Sequence, residues 1–216
     1  MANKKYNNMK NWLLIFGLSC ITFFSKAQTS KPRSNIWVNG GLSYAALYEK
    51  PKNTQDIGIP APEAGLSLRV QYPTYWGFEV GGYYSMKGVK FKNTDTKVTL
   101  NYAGMFANGL LFFPLINNNN IYIGGGLYIL EAFDGKAKSD SASSVITFGD
   151  TWKRFDAGIE LRSGYNIKDI VTIGLHYDLG AFKTYSSTDS GGDLFEGRNS
   201  VITLFVSIKL AKISVK

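Results

Sequence analysis

The chain has 216 residues, 44% of them hydrophobic and 14% aromatic, with 23 glycines, a formal charge of +8 and one cysteine. Glycine is poorly tolerated inside helices and aromatics suit pleated surfaces, so this composition argues against a helical bundle and for a single all-β domain. No run of Lys or Arg provides the concentrated basic stripe that nucleic acid needs, so no nucleic-acid partner is expected.

The first segment reads as an export signal. Lys4, Lys5 and Lys10 precede an apolar run from Trp12 to Phe24, and Ser25-Lys26-Ala27 offers small residues for cleavage. Residues 1–27 are therefore expected to be a signal peptide, with Met9 as an alternative initiator and Gln28 as the first mature residue. The apolar run is too short for a spanning helix. Removing it takes four lysines and no acid, so half of the +8 charge goes with it. Cys20 goes too, leaving no thiol for disulfides, metal or nucleophilic chemistry. Leu18 is misplaced for a lipidation motif, and the apolar run continues past Cys20, so no lipid anchor is expected.

The remainder contains eight segments alternating in polarity, near 35–48, 61–72, 76–90, 97–113, 121–133, 152–166, 170–182 and 198–210. In the first, Ile36, Val38, Leu42, Tyr44, Ala46 and Tyr48 share a face. In the second, Ala64, Leu66, Leu68, Val70 and Tyr72 oppose Glu63, Ser67, Arg69 and Gln71. The third sets Trp76, Phe78, Val80, Tyr84 and Met86 against Glu79, Tyr83 and Lys87. The sixth sets Phe155, Ala157, Ile159, Leu161 and Tyr165 against Asp156, Glu160, Arg162 and Asn166. The seventh opposes Val171, Ile173, Leu175, Tyr177 and Leu179 to Thr172, His176 and Asp178. The other three are blurred: Asn108 falls on the apolar face of the fourth, and Glu131 ends the fifth on the wrong side.

Alternation alone fits a soluble sandwich as well as a membrane barrel. Connection lengths separate them. Short links follow the second, fourth and sixth segments, and mostly longer ones the first, third, fifth and seventh, as periplasmic turns alternate with extracellular loops. Aromatics fall at both ends of the apolar face: Tyr72, Trp76 and Tyr165 at the lower rim, Tyr48, Tyr84 and Phe155 at the upper. Such belts belong at membrane interfaces. The expected fold is an eight-stranded antiparallel up-and-down transmembrane β-barrel over residues 28–216, located in the outer membrane, surrounded by its lipid and monomeric.

Two segments carry a resemblance. Tyr83-Tyr84-Ser85-Met86-Lys87-Gly88 and Phe155-Asp156-Ala157-Gly158-Ile159, with Gly164-Tyr165 after it, resemble recurrent segments of the PorT-like outer-membrane β-barrel domains of Bacteroidetes. The Ala27-Gln28 junction is also typical there. The resemblance implies an eight-stranded outer-membrane barrel and no single activity. The ending Leu210-Ala211-Lys212-Ile213-Ser214-Val215-Lys216 lacks the terminal aromatic residue that many such barrels carry.

Eight strands enclose a lumen that side chains can fill. The inward set reads as balanced: Glu63, Glu79, Asp156, Glu160 and Asp178 against Arg69, Lys87, Lys97, Arg162 and Lys209. An ion-paired plug is expected, formed by Glu63, Arg69, Glu79, Lys87, Asp156, Glu160, Arg162, His176 and Asp178, with a narrow ion path as the alternative. His176 beside Asp178, with Ser43, Ser67 or Ser85, is the weakly supported alternative of a lipid-modifying enzyme; the expected protein is not an enzyme. A lone histidine gives no metal centre, and no cofactor is expected. Gly124-Gly125-Gly126 and Gly81-Gly82 precede no helix and are not phosphate loops. The run from Thr188 to Asp193 is rich in oxygens but lacks EF-hand order. The expected role is structural or envelope-interacting, through extracellular loops that reach other envelope proteins. A soluble periplasmic barrel binding a small apolar ligand is the remaining alternative.

Overall fold

The computed structural model describes residues 32–50, 56–91, 95–139, 142–149, 151–188 and 194–213. The expected signal peptide, Cys20 and residues 189–193 of the oxygen-rich run lie outside them. The strands are β1 (Arg33–Lys50), β2 (Asp56–Gln71), β3 (Trp76–Phe91), β4 (Thr96–Pro114), β5 (Asn120–Lys138), β6 (Ser143–Val145), β7 (Phe155–Ile167), β8 (Val171–Gly180), β9 (Tyr185–Thr188) and β10 (Leu194–Ile213). Eight of them, β1-β2-β3-β4-β5-β7-β8-β10, pair antiparallel in order. β1 pairs β10 from Ser34↔Ile213 to Lys50↔Glu196, which closes the sheet into a barrel. Closure removes the free edges that an open sheet would present. The short strands β6 and β9 attach to β5 and β10 at the long-loop end.

The alternation now has a direction. Leu42, Leu66, Met105, Leu127, Leu161, Leu175 and Leu204 are exposed on the outer face. Glu79, Asp156, Glu160, Thr172, His176, Asp178 and Thr203 point inward and are almost fully buried. A dry outer surface around a charged interior is the arrangement that hydrocarbon demands.

Two strands correct the sequence reading. On β4 the inward residues are Val98, Leu100, Tyr102, Phe106, Leu110 and Phe112, with Asn108 among them. The apolar residues on both faces hid the parity of this strand, and Asn108 belongs to the lumen. Lys97 has the opposite parity and is exposed, so it is not a lumen residue. Lys209 also leaves the lumen set: it sits at the rim, its Nζ 2.8 Å from Asp169.

Strand lengths exceed those expected. β2 begins at Asp56, five residues before the expected start, and β5 runs to Lys138. These extensions rise past the apolar belt: Asp134, Lys136 and Lys138 break the hydrophobic period in one, and Ile57 and Ile59 alone are too short a run to mark a strand in the other. The sixth expected segment starts late instead, at Phe155. β10 continues to Ile213, so Ala211 and Lys212 still pair with β1. Pro60 and Pro62 lie within β2, where β1 still pairs with them while the β2–β3 ladder skips from Ile59 to Glu63. Proline has no N–H to donate, so a bulge here is the expected consequence. Ser43 spans the gap, its Oγ donating to Ala61 O at 3.0 Å or to Met86 O at 3.2 Å.

The short turns carry the left-handed backbone that tight hairpins require. Lys168 and Asp169 between β7 and β8 have φ of 50° and 54°, and Ile170 N donates to Ile167 O. Two successive positive φ values match the twist of the flanking strands. Asn117 and Asn118 take the same region after β4, as asparagine does readily.

Candidate functional site: the barrel lumen

The interior is built in layers along the barrel axis, and each layer centres on one cation. In the lowest, the Arg69 guanidinium lies between the Trp37 ring at 4.5 Å and the Tyr122 ring at 4.6 Å. It pairs with Glu79 at 3.2 Å and donates to Asn166 Oδ1 at 3.1 Å and Tyr122 Oη at 3.1 Å. Arg69 and Glu79 are direct cross-strand partners on β2 and β3, so the register itself brings them together.

In the middle layer, Arg162 is held between Phe106 at 4.5 Å and Phe205 at 4.8 Å. Its guanidinium nitrogens lie 2.9 Å from Glu160 and 3.3 Å from Glu79, so Glu79 links two layers. Two glycines make room for the flanking rings. A Cβ on Gly174 would stand 2.5 Å from the Phe205 ring, and one on Gly81 would stand 2.7 Å from the Phe106 ring. Both contacts are too close for any side chain, so these rings press directly on bare backbone. This is what the glycines inside the strands accomplish, and it is how Arg162 acquires both of its aromatic faces.

The upper layer holds Lys87. Its Nζ is 2.6 Å from Asp156 Oδ2, with the Tyr102 and Tyr128 rings at 5.0 and 5.3 Å. Tyr128 Oη and Asn199 Nδ2 donate to the same carboxylate. Stacking a cation on a desolvated ring contributes about 0.5–2 kcal/mol, so the rings help offset the cost of burying charge.

Above Lys87 the lumen turns apolar. Val98, Leu100, Leu130 and Ala132 pack with Ile146 and Trp152 from the β5–β7 connection. Trp152 lies 4.7 Å from Tyr185 of β9, which seals the layer from the long-loop side. Toward the opposite end, Leu110, Phe112, Tyr122 and Phe205 form a second apolar cluster that runs alongside the lower and middle cation layers. Below it opens a mouth of about 640 Å³, lined by Arg33, Tyr72, Tyr75, Asn119 and Lys168 among others.

All nine residues expected in the lumen, Glu63, Arg69, Glu79, Lys87, Asp156, Glu160, Arg162, His176 and Asp178, are buried within the barrel. The expected balance of five acids and five bases does not hold. With Lys97 and Lys209 outside, five buried carboxylates face the three cations Arg69, Lys87 and Arg162, plus His176, among the described residues. His176 Nδ1 lies 3.1 Å from Arg162 Nη2 and its Nε2 lies 3.3 Å from Glu63 Oε1. None of the hydroxyls of Ser43, Ser67 and Ser85 is recorded as a partner of His176: Ser67 donates to Glu79 at 2.6 Å, and Ser43 bonds backbone carbonyls.

The six interface aromatics are on the outer side. Tyr48 and Phe155 are exposed, and Tyr72 stacks on Trp76 at 4.3 Å across the first short turn. Tyr84 donates to Asn101 at 2.8 Å, and Tyr165 stands beside Ile121 and Ile173 in the lower wall. The inward aromatics Trp37, Tyr102, Phe106, Tyr122, Tyr128 and Phe205 were not anticipated. Their signal was parity: Trp37 is out of step with Ile36 and Val38, and Phe205 with Leu204 and Val206.

Comparison with known proteins supports this architecture. The model of the family described as "outer membrane protein beta-barrel domain" matches residues 26–185. No curated protein matches the sequence. Among solved structures, Neisserial surface protein A covers 82% of this chain and 99% of its own, at 12% identity and a TM-score of 0.50. OprG of Pseudomonas aeruginosa covers 82% and 97%, at 12% identity and a TM-score of 0.47. Ail of Yersinia pestis covers 84% and 100%, at 13% identity and a TM-score of 0.43, in a complex with a heparin analogue. The first of these shows the fold, and the family match covers most of the sequence: the chain belongs to the outer membrane protein beta-barrel domain family and is an outer-membrane β-barrel.

Proposed function

We propose that the protein is a non-catalytic, monomeric outer-membrane scaffold that meets other envelope components through its long-loop end. One observation carries this reading: the lumen is filled. Cation–aromatic layers occupy its middle and lower parts, down to the Arg69–Glu79–Asn166 network, and an apolar cluster closes it above. A filled cylinder transports nothing along its axis, so what remains for interaction is the surface beyond the membrane. A closed ring with no free strand edge supports the monomeric state. The resemblance of the segments at 83–88 and 155–159 favours the PorT-like group within the family, and these segments meet in one lumen layer through Lys87 and Asp156.

The enzymatic alternative would need His176 within reach of a serine hydroxyl and of substrate. His176 is buried, and its two nitrogens face Arg162 and Glu63. The soluble alternative would need an apolar cavity inside and charge outside, the reverse of the observed distribution. The test is reconstitution into planar bilayers. No resolved single-channel current is expected, and stable unitary steps would overturn the filled-lumen reading. In cells, His176→Ala should leave membrane lipid composition unchanged; an altered acyl or headgroup pattern would favour the enzyme.

A further inference from the structure

Among the described residues, the lumen contains a charge problem that its own cations do not solve. Arg69, Lys87 and Arg162 balance three of five buried carboxylates, which leaves an excess of two negative charges if His176 is neutral. A guanidinium only donates, so Arg162 Nη2 fixes His176 Nδ1 as an acceptor, and the hydrogen resides on Nε2 toward Glu63. Nε2 faces Glu63 Oε1 at 3.3 Å without a well-formed hydrogen bond, and only Nδ1 is thus committed to a protein partner.

The oxygens are not. Both carboxylate oxygens of Asp178 find no hydrogen-bonding partner among protein atoms, and neither do Glu63 Oε2, Glu160 Oε2, Tyr83 Oη and Thr203 Oγ1. All five residues are at least nine-tenths buried. They converge on one place. A ligand atom from each of Glu160, His176 and Asp178 lies within 4.8 Å of the others. Glu63 Oε1 is 3.3 Å from His176, Thr203 is its direct cross-strand partner, and the Tyr83 ring lies 6.5 Å from the imidazole. Buried polar atoms without partners are rare in native proteins, and a set gathered in one spot calls for water or an ion.

We propose that this chamber binds one divalent cation of the calcium class, coordinated by Asp178, Glu160 and Glu63 with the Tyr83 and Thr203 hydroxyls alongside. The stoichiometry follows from charge: one divalent ion cancels an excess of two. The class follows from the donors. Six of the unpartnered ligand atoms here are oxygens and one, His176 Nε2, is an imidazole nitrogen, a donor set that favours a hard cation, and six irregularly placed oxygens suit calcium better than strictly octahedral magnesium. Because an apolar layer closes the lumen above and the Arg69–Glu79–Asn166 network fills it below, the ion enters while the barrel folds.

The test is refolding of the full chain from urea into detergent micelles with calcium, with terbium as its luminescent surrogate, or with chelator. Folding is verified by resistance of the barrel to detergent denaturation on gels. After desalting, elemental analysis should find close to one calcium per chain, and terbium emission should be excited through the neighbouring tyrosines and quenched by competing calcium. Asp178→Asn should weaken retention by more than the about 10–100-fold typical of losing a mere supporting group. Thr203→Val, which keeps the charge and the strand, should weaken it less. Asp169→Asn at the rim should change nothing. Folded wild type that retains no calcium and sensitises no terbium overturns the proposal, as does an Asp178→Asn barrel that binds as wild type does. If Asp178→Asn does not fold, Glu63→Gln takes its place with the same expected loss, and unchanged binding there is equally fatal.

Discussion

Replacing Glu79 by Gln removes one charge and almost no volume. Glu79 is fully buried, accepts from Ser67 Oγ at 2.6 Å, and pairs with Arg69 at 3.2 Å and Arg162 at 3.3 Å. The amide keeps one acceptor oxygen, and its NH₂ takes the other oxygen's place beside a guanidinium. Breaking a buried pair by altering one partner costs about 3–5 kcal/mol. Arg69 keeps Asn166, Tyr122 and two ring faces, and Arg162 keeps Glu160, so the lower part of that range, about 3 kcal/mol, is expected. The rim pair Lys209–Asp169 is part-exposed, and Asp169→Asn should cost under about 1 kcal/mol. The assay is urea unfolding from phospholipid vesicles followed by tryptophan emission, because Trp37 lies on Arg69 and reports on that layer. Arg69→Met in the Glu79→Gln background should add less than Arg69→Met alone. A Glu79→Gln loss no larger than that of Asp169→Asn would refute the view that this carboxylate ties two layers together.

Lys87→Met leaves Asp156 with only Tyr128 and Asn199 as donors and should destabilise by about 3–5 kcal/mol, with Asp156→Asn recovering part of the loss in the double variant; additive losses in unfolding titrations would count against a coupled pair. Gly174→Ala drives a methyl into Phe205 and the Ser163 carbonyl and should cost about 1–3 kcal/mol, while Gly40→Ala, with open space around its Cβ, should be near neutral; equal effects in the same titrations would remove the argument for ring-on-glycine packing. Leu127→Arg, midway along the outward face of β5, should cost about 2–4 kcal/mol in vesicles; a neutral result would contradict hydrocarbon at that depth.

The sequence showed most where one face met lipid and the other met buried charge. β2, β3, β7 and β8 were readable for that reason: Arg69, Glu79, Glu160 and Asp178 alternate with aliphatic residues along them. β4 and β5 were not, because Leu100, Phe106, Leu110 and Leu130 fill the lumen while Met105, Leu111 and Leu127 meet lipid. A period-two signal vanishes when both faces are apolar. The rings that sandwich the cations have the opposite parity from the aromatic belts and are interleaved with apolar residues on the outer face. Charge balance also failed for a physical reason. Sequence parity cannot distinguish a lumen lysine from one on a strand extension above the membrane, which is where Lys97 lies, or at the rim, as Lys209 does.

The proline-interrupted stretch of β2 means that the wall is unevenly stitched. Register also shifts between Ile36 and Trp37 and between Asn101 and Tyr102, but between Ile59 and Glu63 the seam toward β3 skips further and is bridged from inside by one hydroxyl, that of Ser43. Amide hydrogens bordering that seam should exchange with solvent deuterium ahead of those at the same depth in β7 and β8. Mechanical or chemical unzipping of the cylinder should begin there, and a Ser43→Ala change should widen the opening before it affects any layer of the interior.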